Sequence, residues 1–126
     1  MIEILSAHVS LDTPAAAPGF AVCRIFGDVD IESRSDLRDA FARAVARATT
    51  GVLVDCTHLA FADSTLLNAL VQLRRATRAR HLSLALIAPP RQLRHLLDLT
   101  GTAGLLPAHV TLTEALAATA GLPGGP

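Results

Sequence analysis

From residue 51 onwards, short apolar runs alternate with longer stretches of helical periodicity, and this alternation restricts the fold more than any other feature. Residues 52–54 and 82–88 are apolar runs typical of strands that are buried on both faces of a sheet. Before them, two β-rich stretches, residues 2–11 and 20–26, are separated by a turn-forming segment with two prolines. Two strands followed by alternating strands and helices predict an α/β fold, a mixed sheet of about five strands with about four helices.

Apolar residues at helical spacing and capping residues predict where the helices lie. The helices are expected between Ser33 or Ser35 and Gly51, over residues 64–80 and 90–99, and from a capping segment at residues 111–114 through Ala118. The buried face of the first helix is expected to comprise Leu37, Phe41, Ala44, Val45 and Ala48. Thr111 and Glu114 have the spacing of a capping box for the last helix. Residues 56–62 are interpreted as a connection, and residues 110–112 as a short last strand.

The chain has 126 residues, which suits one domain. We expect the domain to cover residues 1–118 and a flexible tail to cover residues 119–126. No apolar run approaches the roughly 20 residues that cross a bilayer. The first residues lack the features of a signal peptide, so the expected location is the cytoplasm. Cys23 and Cys56 lie in apolar, strand-like stretches, where reduced thiols pack as small hydrophobic groups.

The charges of the chain argue against two classes of partner. The formal net charge is zero, whereas binding to nucleic acid or to a membrane surface usually depends on excess positive charge. We therefore expect neither of these partners. The arginines near the end of the second helix leave two interpretations open, a solvated helix end or a contact with an acidic partner. They are Arg74, Arg75, Arg78 and Arg80.

Motifs for catalysis or cofactor binding are missing from the sequence. The chain has no lysine, which excludes a phosphate-binding loop of the Gly-x-x-x-x-Gly-Lys type. The five histidines are scattered, and Cys56-Thr57-His58 supplies too few ligands for a zinc site. A small hydrolase using Asp63, Ser64 and a nearby histidine is a further alternative, without a recognisable base or oxyanion motif. We expect no cofactor, no metal and no enzymatic activity.

Residues 63–65 place one carboxyl and two hydroxyl side chains at the predicted start of the second helix. In one interpretation Ser64 is simply the N-cap residue, whose side chain accepts a hydrogen bond from the first turn. In the other, Ser64 accepts a phosphate beyond the carboxyl end of a central strand, where α/β sheets place their sites. The helix N-terminus favours the phosphate by roughly 0.3–1 kcal/mol, and the neighbouring Asp63 opposes it.

The segment Asp63-Ser64-Thr65-Leu66-Leu67 resembles the signature Asp-Ser-Ser/Thr-Gly-Leu of STAS domains of the anti-sigma factor antagonist type. Three further parts of the sequence resemble that family in the same order. They are Gly27-Asp28-Val29-Asp30, Val52-Leu53-Val54-Asp55, and the closing segment with Asp98-Leu99-Thr100-Gly101, Leu105-Leu106 and Thr113-Glu114-Ala115-Leu116. The resemblance covers residues 2–118.

The resemblance implies a partner-switching mechanism. The unphosphorylated antagonist would bind an anti-sigma factor that is also a serine kinase, and a phosphatase would reverse phosphorylation. Ser64 is the implied phosphoacceptor, with Thr65 as the second candidate. Asp63 is its neighbour, and Asp30 is the acidic residue of the earlier loop. Thr65 and Asn68 would belong to the docking surface, and ATP and magnesium would belong to the kinase.

Leu66 departs from the family signature, which has glycine at this position. The larger side chain would either block the close approach of a kinase backbone or enlarge the hydrophobic surface. An alternative function keeps the fold and removes the switch: a scaffold or accessory STAS subunit, in a stress-sensing assembly or in a lipid-transport complex. Phosphorylation of Ser64 by a kinase of the same host separates these two functions.

Overall fold

A computed structural model describes residues 1–119 of the chain. The strands are β1 (Ile2–Ile4), β2 (Val9–Asp12), β3 (Phe20–Val29), β4 (Gly51–Ala62), β5 (Ser83–Ile87) and β6 (Ala108–His109). The helices are α1 (Arg34–Arg47), α2 (Ser64–Ala79), α3 (Arg91–Leu99) and α4 (Leu112–Thr119), with short 3-10 turns at Ile31–Ser33 and Ala103–Leu105. The predicted α/β fold with a mixed sheet and four helices is confirmed, and the described sheet has six strands instead of about five.

The six strands form one sheet in chain order, so every strand lies beside its neighbour in the sequence. Strand β2 is antiparallel to both of its neighbours, β1 and β3, whereas β3, β4, β5 and β6 run parallel. The parallel strands are joined by α1, α2 and α3, as β-α-β crossovers require. Because consecutive right-handed crossovers in one direction place their helices on the same face, these three helices share one side of the sheet.

Each face of the sheet has its own core. On the first face, α1, α2 and α3 bury apolar residues against one side of β3 and β4, among them Leu37, Leu66 and Leu93. On the opposite face, Ala115 of α4 packs with Val22 and neighbouring strand residues. Every residue of the predicted α1 face is buried, which confirms that prediction. None of the described helices is long and apolar enough to cross a bilayer.

Two predictions near the start of the chain were wrong about strand boundaries. Residues 2–11 form two strands instead of one, because the chain turns at residues 5–8 and pairs β1 with β2. The Ser6 hydroxyl accepts a hydrogen bond from the His8 amide at 3.1 Å in this turn, a local bond typical of serine. Strand β3 does not stop at Gly27. It bulges there, Gly27 adopts φ +69°, and pairing continues to Val29.

The interpretation of residues 56–62 as a connection was also wrong, since they continue β4. They pair with the second half of β3, as in Gly27 with Leu59 and Val29 with Ala62. Register shifts in this half interrupt the regular alternation of side chains, so the segment lacks a strand pattern in the sequence.

The helix boundaries agree with the prediction to within a few residues, but the caps differ. Ser33 occupies the N-cap position of α1 as predicted, but its side chain makes no capping hydrogen bond. The Asp30 carboxylate caps the 3-10 turn that precedes α1. The predicted capping box of α4 is present in part: the Glu114 amide donates to Thr111 Oγ1 at 3.1 Å, and the Glu114 carboxylate accepts from the Val110 amide.

Near the end of the chain the last strand differs from the prediction, and the final residues lie outside the part that the structure describes. The short last strand, expected at residues 110–112, lies at Ala108–His109. Helix α4 ends at Thr119, and the rest of the predicted flexible tail, residues 120–126, lies outside the described residues.

Candidate functional site

The candidate site lies where β3 and β4 end side by side. Val29 and Ala62, the last residues of these parallel strands, are in register. Asp30 and Asp63 follow directly, and both have extended backbone conformations. Each carboxylate accepts a hydrogen bond from the amide two residues later, Asp30 from Glu32 at 3.0 Å and Asp63 from Thr65 at 2.8 Å. The two acidic residues predicted for the site therefore cap the 3-10 turn before α1 and the start of α2, at the same edge of the sheet.

Ser64 is the first residue of α2 and is not its N-cap, because Asp63 occupies that position. The interpretation of Ser64 as the capping residue is thus wrong. The Ser64 side chain is exposed, and its hydroxyl makes no hydrogen bond with any of residues 1–119. Thr65 is only partly exposed. At this helix start, the hydroxyl with the freer access to solvent is that of Ser64.

Ser64, Thr65 and Asn68 line a groove of about 760 Å³ between α1 and α2. Asn68 lies one helical turn after Ser64 and is exposed. The groove therefore joins the predicted phosphoacceptor to two of the residues predicted for the docking surface. Asp30 and Asp63 are not among its lining residues, so the structure places them at the edge of the site and not in the groove.

The opposite wall of the groove belongs to α1, which the sequence analysis did not include in the site. Arg34 and Arg38, one turn apart, line this wall, and Arg75 of α2 lines the other. None of the three forms an ion pair with any of the described residues. The spacing of Arg34 and Arg38 indicates a common helix face, but only the packing of α1 against α2 brings that face beside Ser64.

The arginines at the end of α2 have different surroundings. Arg80 donates a hydrogen bond to the Val45 carbonyl at 2.9 Å and so ties the end of α2 to α1. Arg75 faces the groove, and Arg78 is exposed away from its lining. Arg78 therefore fits the interpretation as a solvated helix end, whereas Arg75 lies on the groove wall.

A partly buried hydrogen bond and a buried side chain hold the start of α2 in place. The Gln92 side chain of α3 accepts a hydrogen bond from the Ala62 amide at 3.2 Å, which supplies a partner for the last backbone donor of β4. Leu66 is completely buried in the core between the helices and the sheet. Its side chain therefore neither blocks the surface nor adds hydrophobic area to it. At the position of the family's glycine, this chain has an internal anchor for the helix.

The remaining candidate residues lie outside this site. Cys56 is buried in the core, whereas His58 is exposed and stacks on Phe26, with ring centroids 5.7 Å apart. Burial raises the pKa of the Cys23 and Cys56 thiols to about 12. Within residues 1–119, no three His, Cys, Asp or Glu side chains are grouped to hold a metal ion. None of the five histidines lines the groove that contains Ser64.

A mixed sheet in chain order, with an acidic cap and an exposed serine at the start of α2, defines a STAS-type α/β domain. The chain belongs to the STAS_2 family, described as "Mlab, STAS domain", whose model matches residues 14–107. The resemblance noted in the sequence is thereby confirmed at the level of the family. Among curated protein sequences, no significant match is found.

Several solved structures share the fold. The phosphorylated form of SpoIIAA, a Bacillus cell fate determinant, has a TM-score of 0.68 at 21% identity, covering 87% of this chain and 97% of that chain. An anti-sigma-factor antagonist (STAS) domain protein from Planctomyces limnophilus has a TM-score of 0.77 at 20% identity, covering 90% and 98%. An anti-sigma factor antagonist from Mycobacterium paratuberculosis has a TM-score of 0.76 at 19% identity, covering 89% and 92%.

Proposed function

We propose that the chain is an anti-sigma factor antagonist of a partner-switching system in the bacterial cytoplasm. In its unphosphorylated state it binds an anti-sigma factor that is also a serine kinase, and binding releases a sigma factor for transcription. The kinase phosphorylates Ser64 and so ends the interaction, and a phosphatase restores it. The chain itself needs no cofactor and catalyses no reaction, because ATP and magnesium belong to the kinase.

The observation that carries this proposal is that Asp63, and not Ser64, is the N-cap residue of α2. Asp63 caps the helix, so the Ser64 hydroxyl is exposed and makes no hydrogen bond within residues 1–119. A serine that capped the helix would have to give up a hydrogen bond worth about 1 kcal/mol before it could be modified. Ser64 has no such bond to lose, which suits a residue that is phosphorylated and dephosphorylated repeatedly.

We expect phosphorylation of Ser64 to change the charge of the surface strongly without unfolding the domain. A phosphate adds about −1.5 to −2 charges at neutral pH. At the first position of α2 it meets the positive end of the helix, which stabilises it, while the Asp63 carboxylate opposes it. Because Leu66 anchors the helix from inside, we expect the fold to persist and only the surface to change.

The similar structures support the same class of function. Those from Planctomyces limnophilus and Mycobacterium paratuberculosis are of anti-sigma factor antagonists, and SpoIIAA has been solved in a phosphorylated form. They support an anti-sigma factor as the class of partner, and its serine kinase activity is part of our proposal.

Mass spectrometry of the intact protein tests the proposal. The chain is incubated with ATP, magnesium and each kinase-type anti-sigma factor of its host, in parallel with Ser64→Ala and Thr65→Ala. We expect one added phosphate on wild type and on Thr65→Ala, and none on Ser64→Ala. Phosphate on Ser64→Ala but not on Thr65→Ala would move the acceptor to Thr65. No phosphate with any kinase would overturn the proposal.

A second candidate function is that of an accessory STAS subunit of a lipid-transport complex, which the description of the family model as "Mlab" favours. The sequence also departs from the antagonist signature at Leu66, where that signature has glycine, and this departure favours the same function. In that function Ser64 and Asn68 would contact the transporter ATPase without being modified. Affinity purification of the chain from its host, with Ser64→Ala alongside, distinguishes the two by recovering either a transporter ATPase or a kinase.

A further inference from the structure

The groove beside Ser64 carries an uncompensated positive charge. Its lining includes three arginines, Arg34, Arg38 and Arg75, and among the described residues no acidic side chain lines it. The arginines that do form ion pairs, Arg24, Arg43 and Arg47, lie elsewhere. The whole chain has a formal net charge of zero, so this local excess of cations is a property of the groove and not of the molecule.

The shape and chemistry of the groove fit a helical segment. Small side chains, those of Ala42, Ala69 and Ala76, line it and leave room for another backbone to approach. Its floor includes the apolar Phe41, and Ile31 at its edge is 70% exposed. An apolar floor between two helices, flanked by charged side chains, is the form of surface that receives the apolar face of an amphipathic helix.

We propose that this groove is the docking site for an acidic amphipathic helix of the protein partner. Leucine-like side chains of the helix would pack between α1 and α2, and its carboxylates would pair with the three groove arginines. Guanidinium groups form bidentate hydrogen bonds with carboxylates, which adds geometric selectivity to the charge attraction.

The inference rests on the proposed function in one respect, because it takes the Ser64 end of the groove as the surface that the partner covers. It also gives phosphorylation a physical effect on that surface. A phosphate on Ser64 would lie in the groove and pair with the same guanidinium groups, so it would compete with the carboxylates of the helix. The chemistry of the partner segment can be tested without a kinase.

Fluorescence anisotropy with two synthetic peptides makes that test. One probe is an amphipathic helix of leucine and glutamate, and the other has lysine at every glutamate position. Each is titrated with wild type, with Arg34→Glu/Arg38→Glu, and with the control Arg91→Glu/Arg94→Glu, which makes the same charge change on α3. All four positions are exposed, and Arg34 and Arg91 begin their helices, where glutamate is compatible with the helix dipole. Circular dichroism verifies that both double variants are folded.

We expect wild type to bind the glutamate peptide about tenfold or more tightly than the lysine peptide, and to lose affinity between about 50 and 300 mM salt as charge screening increases. Arg34→Glu/Arg38→Glu should lose at least about tenfold in affinity for the glutamate peptide, and the control less than about threefold. Equal affinity for the two peptides, equal losses in the two double variants, or no binding of the glutamate peptide would overturn the inference. Phosphoryl transfer to Ser64 is measured separately, so the failure of either proposal is distinguishable from that of the other.

Discussion

Asp30 and Asp63 are structural counterparts: each follows the last residue of one of two neighbouring parallel strands, and each caps the helical segment that comes next. Their hydrogen bonds have the same form, from the carboxylate to the amide two residues later, at 3.0 and 2.8 Å. The two caps differ in their effect on the residues that follow them. The Asp30 cap orders a 3-10 turn before α1, whereas the Asp63 cap leaves the hydroxyl of Ser64 unbonded within the described residues.

The Asp63 cap predicts a loss of stability in Asp63→Ala. Removing the carboxylate leaves the Thr65 amide without its acceptor, and we expect the free energy of unfolding to fall by about 1 kcal/mol. Asp63→Asn keeps an acceptor and should remain within about 0.5 kcal/mol of wild type, since asparagine caps helices about as well as aspartate. Urea unfolding followed by circular dichroism measures both. Equal losses in the two variants would mean that the cap is not the cause.

The hydrogen bond from Ala62 to Gln92 predicts that α3 supports the site from a distance. Gln92→Ala should lower the free energy of unfolding by about 1 kcal/mol, because the last backbone donor of β4 loses its acceptor. Hydrogen exchange at the Ala62 amide should accelerate in the same variant. Gln72→Ala is the matched control, since Gln72 is exposed and makes no side-chain hydrogen bond within residues 1–119. A similar change in both variants would contradict the assignment.

The burial of Leu66 predicts that the family's glycine is not tolerated here. Leu66→Gly removes a fully buried side chain and adds the poor helix propensity of glycine, so the free energy of unfolding should fall by about 3 kcal/mol or more. Leu66→Met preserves most of the volume and should cost less than about 1.5 kcal/mol. Thermal unfolding compares the two. If Leu66→Gly were as stable as wild type, Leu66 could not be the internal anchor of α2.

The two buried thiols predict how stability depends on pH under alkaline conditions. Burial raises the pKa of Cys23 and Cys56 from 9.0 to about 12, so the unfolded chain loses these protons first as the pH rises. The unfolded state is thereby favoured, and between about pH 9 and 12 the free energy of unfolding should fall by up to about 1.4 kcal/mol per thiol and pH unit. The chain has no lysine and no tyrosine, so no other side chain titrates strongly in this range. The variant Cys23→Ala/Cys56→Ala should show a nearly flat profile. An equal slope in both proteins would assign the effect to other groups.

Charge competition in the groove predicts the behaviour of Ser64→Glu. A carboxylate at this position lies in the groove with Arg34 and Arg38 and should weaken binding of the glutamate peptide about threefold or more. Ser35→Glu is the control, because Ser35 is exposed on α1 but does not line the groove. Anisotropy titrations measure both variants. Equal affinities would show that negative charge at residue 64 does not act on the groove arginines.

The parts of the fold that were predictable are those with a strong local pattern. The leucine stripe of α2 and the apolar run of β5 indicate a helix and a strand directly. The side of α2 that faces the sheet and both faces of β5 are buried, so apolar residues recur there with the period of each element. The second half of β4 was not predictable in this way. Thr57 and His58 interrupt its apolar pattern, and the segment is a strand only because β3 continues alongside it as far as Val29. Where the register between two distant segments shifts, as it does here, their pairing leaves no regular alternation in the sequence.

The same distinction holds for the candidate site. The start of α2, with Asp63 and Ser64, is a local motif and was found from neighbouring residues in the sequence. The wall that carries Arg34 and Arg38 was missed, because its place beside Ser64 depends on how α1 packs against α2. A charged helix face is common on protein surfaces, and only its position relative to the motif makes it part of a site.

The chain-order sheet has a consequence for synthesis on the ribosome. Because each strand lies beside the one made just before it, a growing chain can extend the sheet at its free edge without waiting for a distant segment. The start of α2 would form once β4 has joined β3, but the Ala62 amide would gain its acceptor only when Gln92 of α3 has also emerged. Nascent chains that end before α3 should therefore present Ser64 on a loosely held helix, and longer ones on a fixed helix.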